Sequence, residues 1–164
     1  MDTADTTRWL NDEEQLTWRQ LSTMILRLQP VLSAQLQREF GISHFEYLMM
    51  ARLSEAPESM LRMSVLATLT GSSLPRLSQA VGRLEKRGWT SRQPDEEDSR
   101  YTLAVLTSAG LRELQEAAPS HVDAVHELVF DRLTRAQARQ LGAISQRILD
   151  GLPPDDSWPS TAQS

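Results

Sequence analysis

Apolar residues recur along this chain at two different spacings, and the change from one to the other outlines the fold. Leu16, Leu21, Met24, Ile25, Leu28, Val31, Leu32, Leu36 and Phe40 share one broad face at helical period. They predict a long first helix to about Phe40. Asn11 is placed to cap it, and Asp12, Glu13 and Glu14 suit the positive end of its dipole. Pro30 lies inside this helix and predicts a kink. Gly41 stops it. Ser43 and Glu46 then have capping-box spacing, so a second helix is expected from His44 to Ser54. Phe45, Leu48, Met49 and Leu53 form its core face, Pro57 ends it, and Met60-Leu61-Arg62 reads as a short strand.

Between Met63 and Gly88 the pattern predicts two helices joined by a tight turn. The first runs from Ser64 to about Thr70 with Val65, Leu66 and Leu69 as its apolar face. Gly71 can take the positive φ of a sharp turn. Ser72 and Ser73 offer N-cap oxygens to the second helix, and Pro75 falls in its first turn, where a missing N–H costs little. Leu74, Leu77, Val81 and Leu84 give that helix one buried stripe, and Gly88 ends it after Arg83, Lys86 and Arg87. Its exposed face carries Ser73, Pro75, Arg76, Ser78, Gln79, Gly82 and Arg83, polar and basic with no acid before Glu85. Two such helices fit a plain αα-hairpin as well as a helix-turn-helix.

After Gly88 the spacing becomes that of strands. Trp89 to Leu106 reads as a β-hairpin with a turn-rich tip at Pro94-Asp95-Glu96-Glu97-Asp98. Helical period then returns. Thr107 caps a helix carrying Leu111, Leu114, Ala118, Val122, Val125 and Val129 towards Arg132, and Pro119 predicts a bend or break in it. Thr134 and Gln137 form a second capping box for a last helix over Arg135 to Leu149, with Leu141, Ile144, Ile148 and Leu149 apolar. Residues 1–10 are expected to be loose, and 151–164 to be a disordered tail rich in Pro, Asp and Ser.

The order of helix, turn, basic helix and hairpin is that of a winged helix, and here the residues become specific. Leu84-Glu85 to Gly88, Arg92, Asp98-Ser99-Arg100 and Leu106-Thr107-Ser108-Ala109-Gly110 resemble the wing signature of the MarR (multiple antibiotic resistance regulator) family. The resemblance implies a mainly α winged-helix homodimer that binds double-stranded DNA and regulates transcription, mostly as a repressor. It implies a DNA lobe over residues 43–106 and a dimer lobe made of 11–42 and 107–150. Ser72, Ser73, Pro75, Arg76, Ser78, Gln79 and Arg83 would lie at or beside the major groove, Arg92 on phosphate and Arg100 in the minor groove. Asp98 would hold Arg100. Small aromatic or phenolic anions act as effectors in such proteins, and some members bind zinc.

Composition narrows the alternatives. With 40% hydrophobic residues in 164, one ordinary core is the default. There is no cysteine, which excludes disulfides, thiolate metal sites and cysteine redox switches. No apolar run reaches membrane-spanning length and the N-terminus lacks signal-peptide character, so a cytoplasmic location is expected. Net charge is −5, against unselective nucleic-acid binding, yet the span from Arg62 to Arg112 holds eight cations against five acids. Apart from Lys86, every cation is arginine.

No enzyme constellation stands out. His44, His121 and His126 gather no common carboxylate, so no metal or other cofactor is expected, and each histidine reads as a partly exposed packing or capping residue. The acids Asp95 to Asp98 lack EF-hand spacing and read as a solvated tip. Trp9, Trp18, Met24 and Met49 fit either a ligand pocket or plain core, with core the commoner use of such residues. A winged helix serving as a protein-interaction module is the alternative function.

Overall fold

The computed structural model describes residues 7–152. The chain forms α1 (Asp12–Phe40), α2 (His44–Glu55), β1 (Met60–Arg62), α3 (Met63–Leu69), α4 (Leu74–Lys86), β2 (Thr90–Pro94), β3 (Thr102–Leu106), α5 (Ser108–Leu128) and α6 (Arg135–Asp150). Single 3₁₀ turns cover Pro57–Ser59 and Phe130–Arg132. Residues 7–11 precede α1 without regular structure; residues 1–6 and 153–164 lie outside the described residues. The architecture is mainly helical with a small antiparallel sheet of order β1-β3-β2, which is a winged helix.

Local chemistry sets most boundaries. Asn11 with Glu14, Ser43 with Glu46 and Thr134 with Gln137 each form a reciprocal capping box. Gly71 (φ +59°) and Gly88 (φ +74°) close α3 and α4 in the same way. The amide of Ser72 donates to the Ala67 carbonyl and that of Trp89 to the Leu84 carbonyl, each at 3.0 Å, as in a Schellman motif. The sheet is built by pairing Met60 with Val105 and Arg62 with Leu103, and Thr90 with Leu106.

One core joins α2, α3, α4 and the sheet to the adjoining parts of α1 and α5. Leu36, Ile42, Met49, Met50, Leu53, Leu66, Leu77, Val81 and Leu84 are fully buried, and Ala104, Leu106, Leu114 and Ala117 join them from β3 and α5. The long arms are different. Leu16, Trp18, Met24, Ile25, Leu26 and Val31 of α1 and Ile144, Ile148 and Leu149 of α6 are exposed, and α6 buries no residue at all within its own chain.

Several expectations are corrected. α1 and α5 each run on through their proline, so the break allowed at Pro119 does not occur. Pro119 lies between the buried Ala117 and His121 of α5, where packing offsets one lost backbone bond. α5 ends at Leu128 instead of running towards Arg132, because Val129 leaves helical geometry (φ −124°, ψ −67°). Leu69 and Leu74 are exposed, as they sit at helix ends beside the turn. Trp9, Trp18 and Met24 are exposed and only Met49 is core, so these four residues do not line one pocket.

Candidate nucleic-acid interface

The exposed side of α4 presents Ser73, Pro75, Arg76, Gln79 and Arg83, with Ser78 and Gly82 half-covered. Neither serine before it caps the helix through its side chain. Ser72 is buried in the turn, and its hydroxyl donates to the Ser73 carbonyl instead of capping α4. The first amides of α4 therefore have no side-chain cap, and Pro75 removes one of the donors that would need one.

Arginines tie the wing to this helix. Arg92 on β2 reaches across Gly82 and donates from Nη2 to the Ser78 carbonyl at 2.6 Å, while its Nε lies 3.3 Å from Glu85 Oε2. Glu85 thus ends the basic stretch of α4 and orients Arg92. At the wing tip Asp98 accepts from Arg100 through both carboxylate oxygens, with Nη2–Oδ2 at 2.6 Å. These bonds hold the Asp98 carboxyl below the usual carboxylate range and leave Arg100 largely exposed. Together Ser64, Leu74, Ser78, Arg92, Arg100 and Tyr101 surround a cleft of about 300 Å³ between α4 and the wing.

Asp95 is not the solvated tip residue expected. It is buried, receives the Glu97 amide at 2.9 Å and the Arg62 Nε at 2.5 Å, and both bonds lower its pKa. Arg62 also lies 4.6 Å over the Tyr101 ring. The amide of Asp95 donates to the Tyr101 carbonyl at 3.0 Å, closing the loop around this pair. Only Glu96 and Glu97 of the acidic run stand fully exposed.

Behind α4, Arg83 donates to Glu46 at 2.7 Å, and the same carboxylate caps α2 through Ser43. Burial works against charge on Glu46, but the bonds from Ser43 and Arg83 outweigh it and its pKa is lowered. Arg76 lies 4.7 Å over Phe45. Pro30, Ser33, Phe45, Arg76, Gln79 and Arg83 line a cavity of about 500 Å³ where α1 and α2 meet α4. His44 and His121, expected to be partly exposed, are buried beside it. Their meeting was invisible in the sequence except that His121 continues the buried stripe of Leu114 and Ala117. Among the described residues no three His, Cys, Asp or Glu side chains converge as a metal site requires, and no helix is long and apolar enough to cross a membrane.

The MarR family model matches residues 40–100, the span that holds α2, both helices of the turn and most of the wing. The fold and sequence extend that match. The chain is 43% identical to Sco3205, a MarR family transcriptional regulator from Streptomyces coelicolor solved in complex with DNA, with TM-score 0.89 over 94% of this chain and 98% of that one. The chain belongs to the MarR family.

A second regulator of the family from Streptomyces coelicolor, AbsC, is 35% identical with TM-score 0.82, over 88% of this chain and 97% of its own. The transcriptional repressor MprA of Escherichia coli (strain K12) is 28% identical over 112 residues, 68% of this chain. The match spans 63% of the length of that repressor. As a member of a family of transcriptional regulators, the protein is not an enzyme. The family's wing motif also acquires a physical reading. Its Glu orients the wing arginine, its Asp-x-Arg is a closed ion pair, and its Leu-Thr-x-x-Gly caps α5. The last glycine, Gly110, lies so close to the Trp89 carbonyl that a Cβ would come within 2.2 Å of it.

Proposed function

We propose that this MarR-family protein is a cytoplasmic homodimeric repressor that binds a pseudo-palindromic DNA site and releases it on binding a small anionic effector. The observation that carries the reading is the shared cleft of α4 and the wing. It sets an α4 face free of acids beside two wing arginines whose acidic neighbours are already engaged. In this reading Pro75, Arg76, Ser78 and Gln79 meet base edges, Arg83 borders them, Arg92 meets phosphate and Arg100 enters the minor groove. Ser73 lies at the helix N-terminus near the backbone; Ser72 acts only through the turn. Sco3205 was crystallised with DNA, which supports the same use of this fold here.

The exposed apolar faces of α1 and α6 support a dimer lobe of residues 11–42 and 107–150, with the DNA lobe at 43–106. A two-fold dimer places two α4 helices about one turn of DNA, ~10 base pairs, apart. The cavity bordered by Phe45, Arg76 and Arg83 offers an aromatic wall and two cations to an aromatic or phenolic anion. The test is selection of DNA from a random library, followed by titration at rising salt. A symmetric site whose affinity falls steeply with salt is expected, because phosphate contacts release counterions. Selection of no DNA would move the protein to the interaction-module reading, and an asymmetric single half-site would remove the two-fold arrangement.

A further inference from the structure

α1, α2 and α5 meet around two histidines that the DNA-binding reading leaves unused. His44 opens α2 and His121 sits in the middle of α5; each is 7% exposed. Their ring centroids are 5.2 Å apart, and the Tyr47 ring packs 4.3 Å from His121. His44 Nδ1 lies 2.7 Å from Gln29 Oε1 of α1, and the His44 amide donates to Ser33 Oγ at 3.3 Å. A neutral imidazole with its proton on Nδ1 satisfies that first contact. His121 Nδ1 is buried with no partner.

No carboxylate stands ready to take up a new positive charge here. From α1 the pair meets the neutral Gln29 and Ser33; the acid of that seam, Glu39, is already held by Gln35 and by Ser120 of α5. From α2 come Tyr47 and Glu46, and Glu46 is committed to Ser43 and Arg83. From α4 the facing groups are Arg76 and Arg83, both cations, across the cavity that His44 borders. Two protonated rings at this distance would repel each other in a site with little water.

We propose that the His44–His121 pair is a proton-operated joint, closed while neutral, whose protonation parts α2 from α5 and lowers DNA affinity. The route to DNA is short. His44 is two residues from Glu46, and Glu46 holds Arg83 of α4 at 2.7 Å. A shift of the first turn of α2 therefore carries the recognition helix with it. The direction follows from linkage. Burial and then the facing ring hold His44 down at about 4, and burial lowers His121. An opened state takes up these protons at the ordinary value near ~6.5. The stability of the closed joint is thus full above that value and lost as pH falls towards 4. Simple charge predicts the opposite trend for DNA, since added protons make the protein more attractive to phosphate.

This inference rests on the DNA-binding reading, and the test separates the two. The full chain is titrated at pH 7.5 and 5.5 with the DNA fragment it selects at pH 7.5. Wild type should lose about tenfold in affinity at the lower pH, a usual size for coupling between sites. His121→Phe keeps a ring against Tyr47 and cannot take up a proton. Relative to its own value at pH 7.5 it should lose the part of that dependence that comes from His121 and from the facing charge, while the burial of His44 keeps the rest; His126 is still present in both proteins. Unchanged or rising wild-type affinity, or an equal fall in both proteins, overturns the joint. If the variant does not fold, the ring C–H resonances of wild type decide, and ordinary titration of both buried rings in the folded protein overturns it. If no DNA is selected, the functional reading fails. The joint is then judged by thermal unfolding, where equal acid shifts for wild type and His121→Phe would reject it.

Discussion

Arg62 and Asp95 stand 33 residues apart in the chain and 2.5 Å apart in space, joining strand β1 to the base of the wing loop. This pair, closed over by Tyr101, fixes the loop that delivers Arg100. Asp95→Asn should loosen the loop without touching α4. DNA affinity should weaken by similar factors across sequences, and amide exchange should quicken over residues 95–101. The Asp95 carboxyl is held down by the Glu97 amide and then by Arg62, so its contribution to stability is present above about pH 4 and lost below. The variant should therefore show a shallower loss of thermal stability between pH 5 and 2. A changed base preference would instead place Asp95 at the DNA.

Arg76 and Arg100 should fail in different ways. Arg76→Ala should cost ~1–3 kcal/mol and relax the preference at one position in each half-site. Arg100→Ala should weaken many sequences alike and make the salt dependence shallower, because a narrow minor groove attracts arginine through its potential. Titration of an operator library at two salt concentrations distinguishes them. Reversed outcomes would exchange the roles assigned to helix and wing.

Gly110 and Gly142 form a contrasting pair. A Cβ on Gly110 would collide with the Trp89 carbonyl at 2.2 Å, whereas one on Gly142 would meet nothing within 4 Å. Gly110→Ala should destabilise by about 1–3 kcal/mol, the usual cost of overpacking against backbone. Gly142→Ala should leave stability unchanged or raise it by up to ~1 kcal/mol through helix propensity. Thermal unfolding of both variants provides the measurement.

Leu28→Asp and Ile144→Asp test the apolar arms. Ile144 is 57% exposed in the single chain, so a charge there should cost little unless another surface covers it. Sedimentation should find wild type as a dimer at micromolar concentration and the Ile144→Asp variant shifted to monomer. Wild type sedimenting as monomer would contradict the dimer lobe.

The parts of the fold legible in the sequence were those fixed by local chemistry. Two capping boxes, the Asn11 cap, the glycine stops at 41, 71 and 88 and the change from helical to strand spacing placed nearly every element, because each acts within a few residues. What stayed hidden depends on distant neighbours. Asp95 looked like one acid among four, and only the fold brings Arg62 beneath it. His44 and His121 looked unrelated until α2 crossed α5. The break allowed at Pro119 fails for the same reason, since a local rule for helix breaking does not see the neighbours that hold α5 together. Apolar stripes on α1 and α6 were legible as stripes, but periodicity cannot tell whether the surface opposite belongs to the same chain.

That last point reaches beyond the fold. A 16-residue helix that fully buries no residue in its own chain, with only Ala138 and Leu141 half-covered, has little reason to persist alone in water. In the proposed dimer the order of α6 would be borrowed from the second copy, and would vary with how much chain is present. Dilution should melt it before the core that carries α4 is disturbed. The amount of protein in a cell would then act as an input in its own right, deciding how many chains are complete enough to be read as regulators.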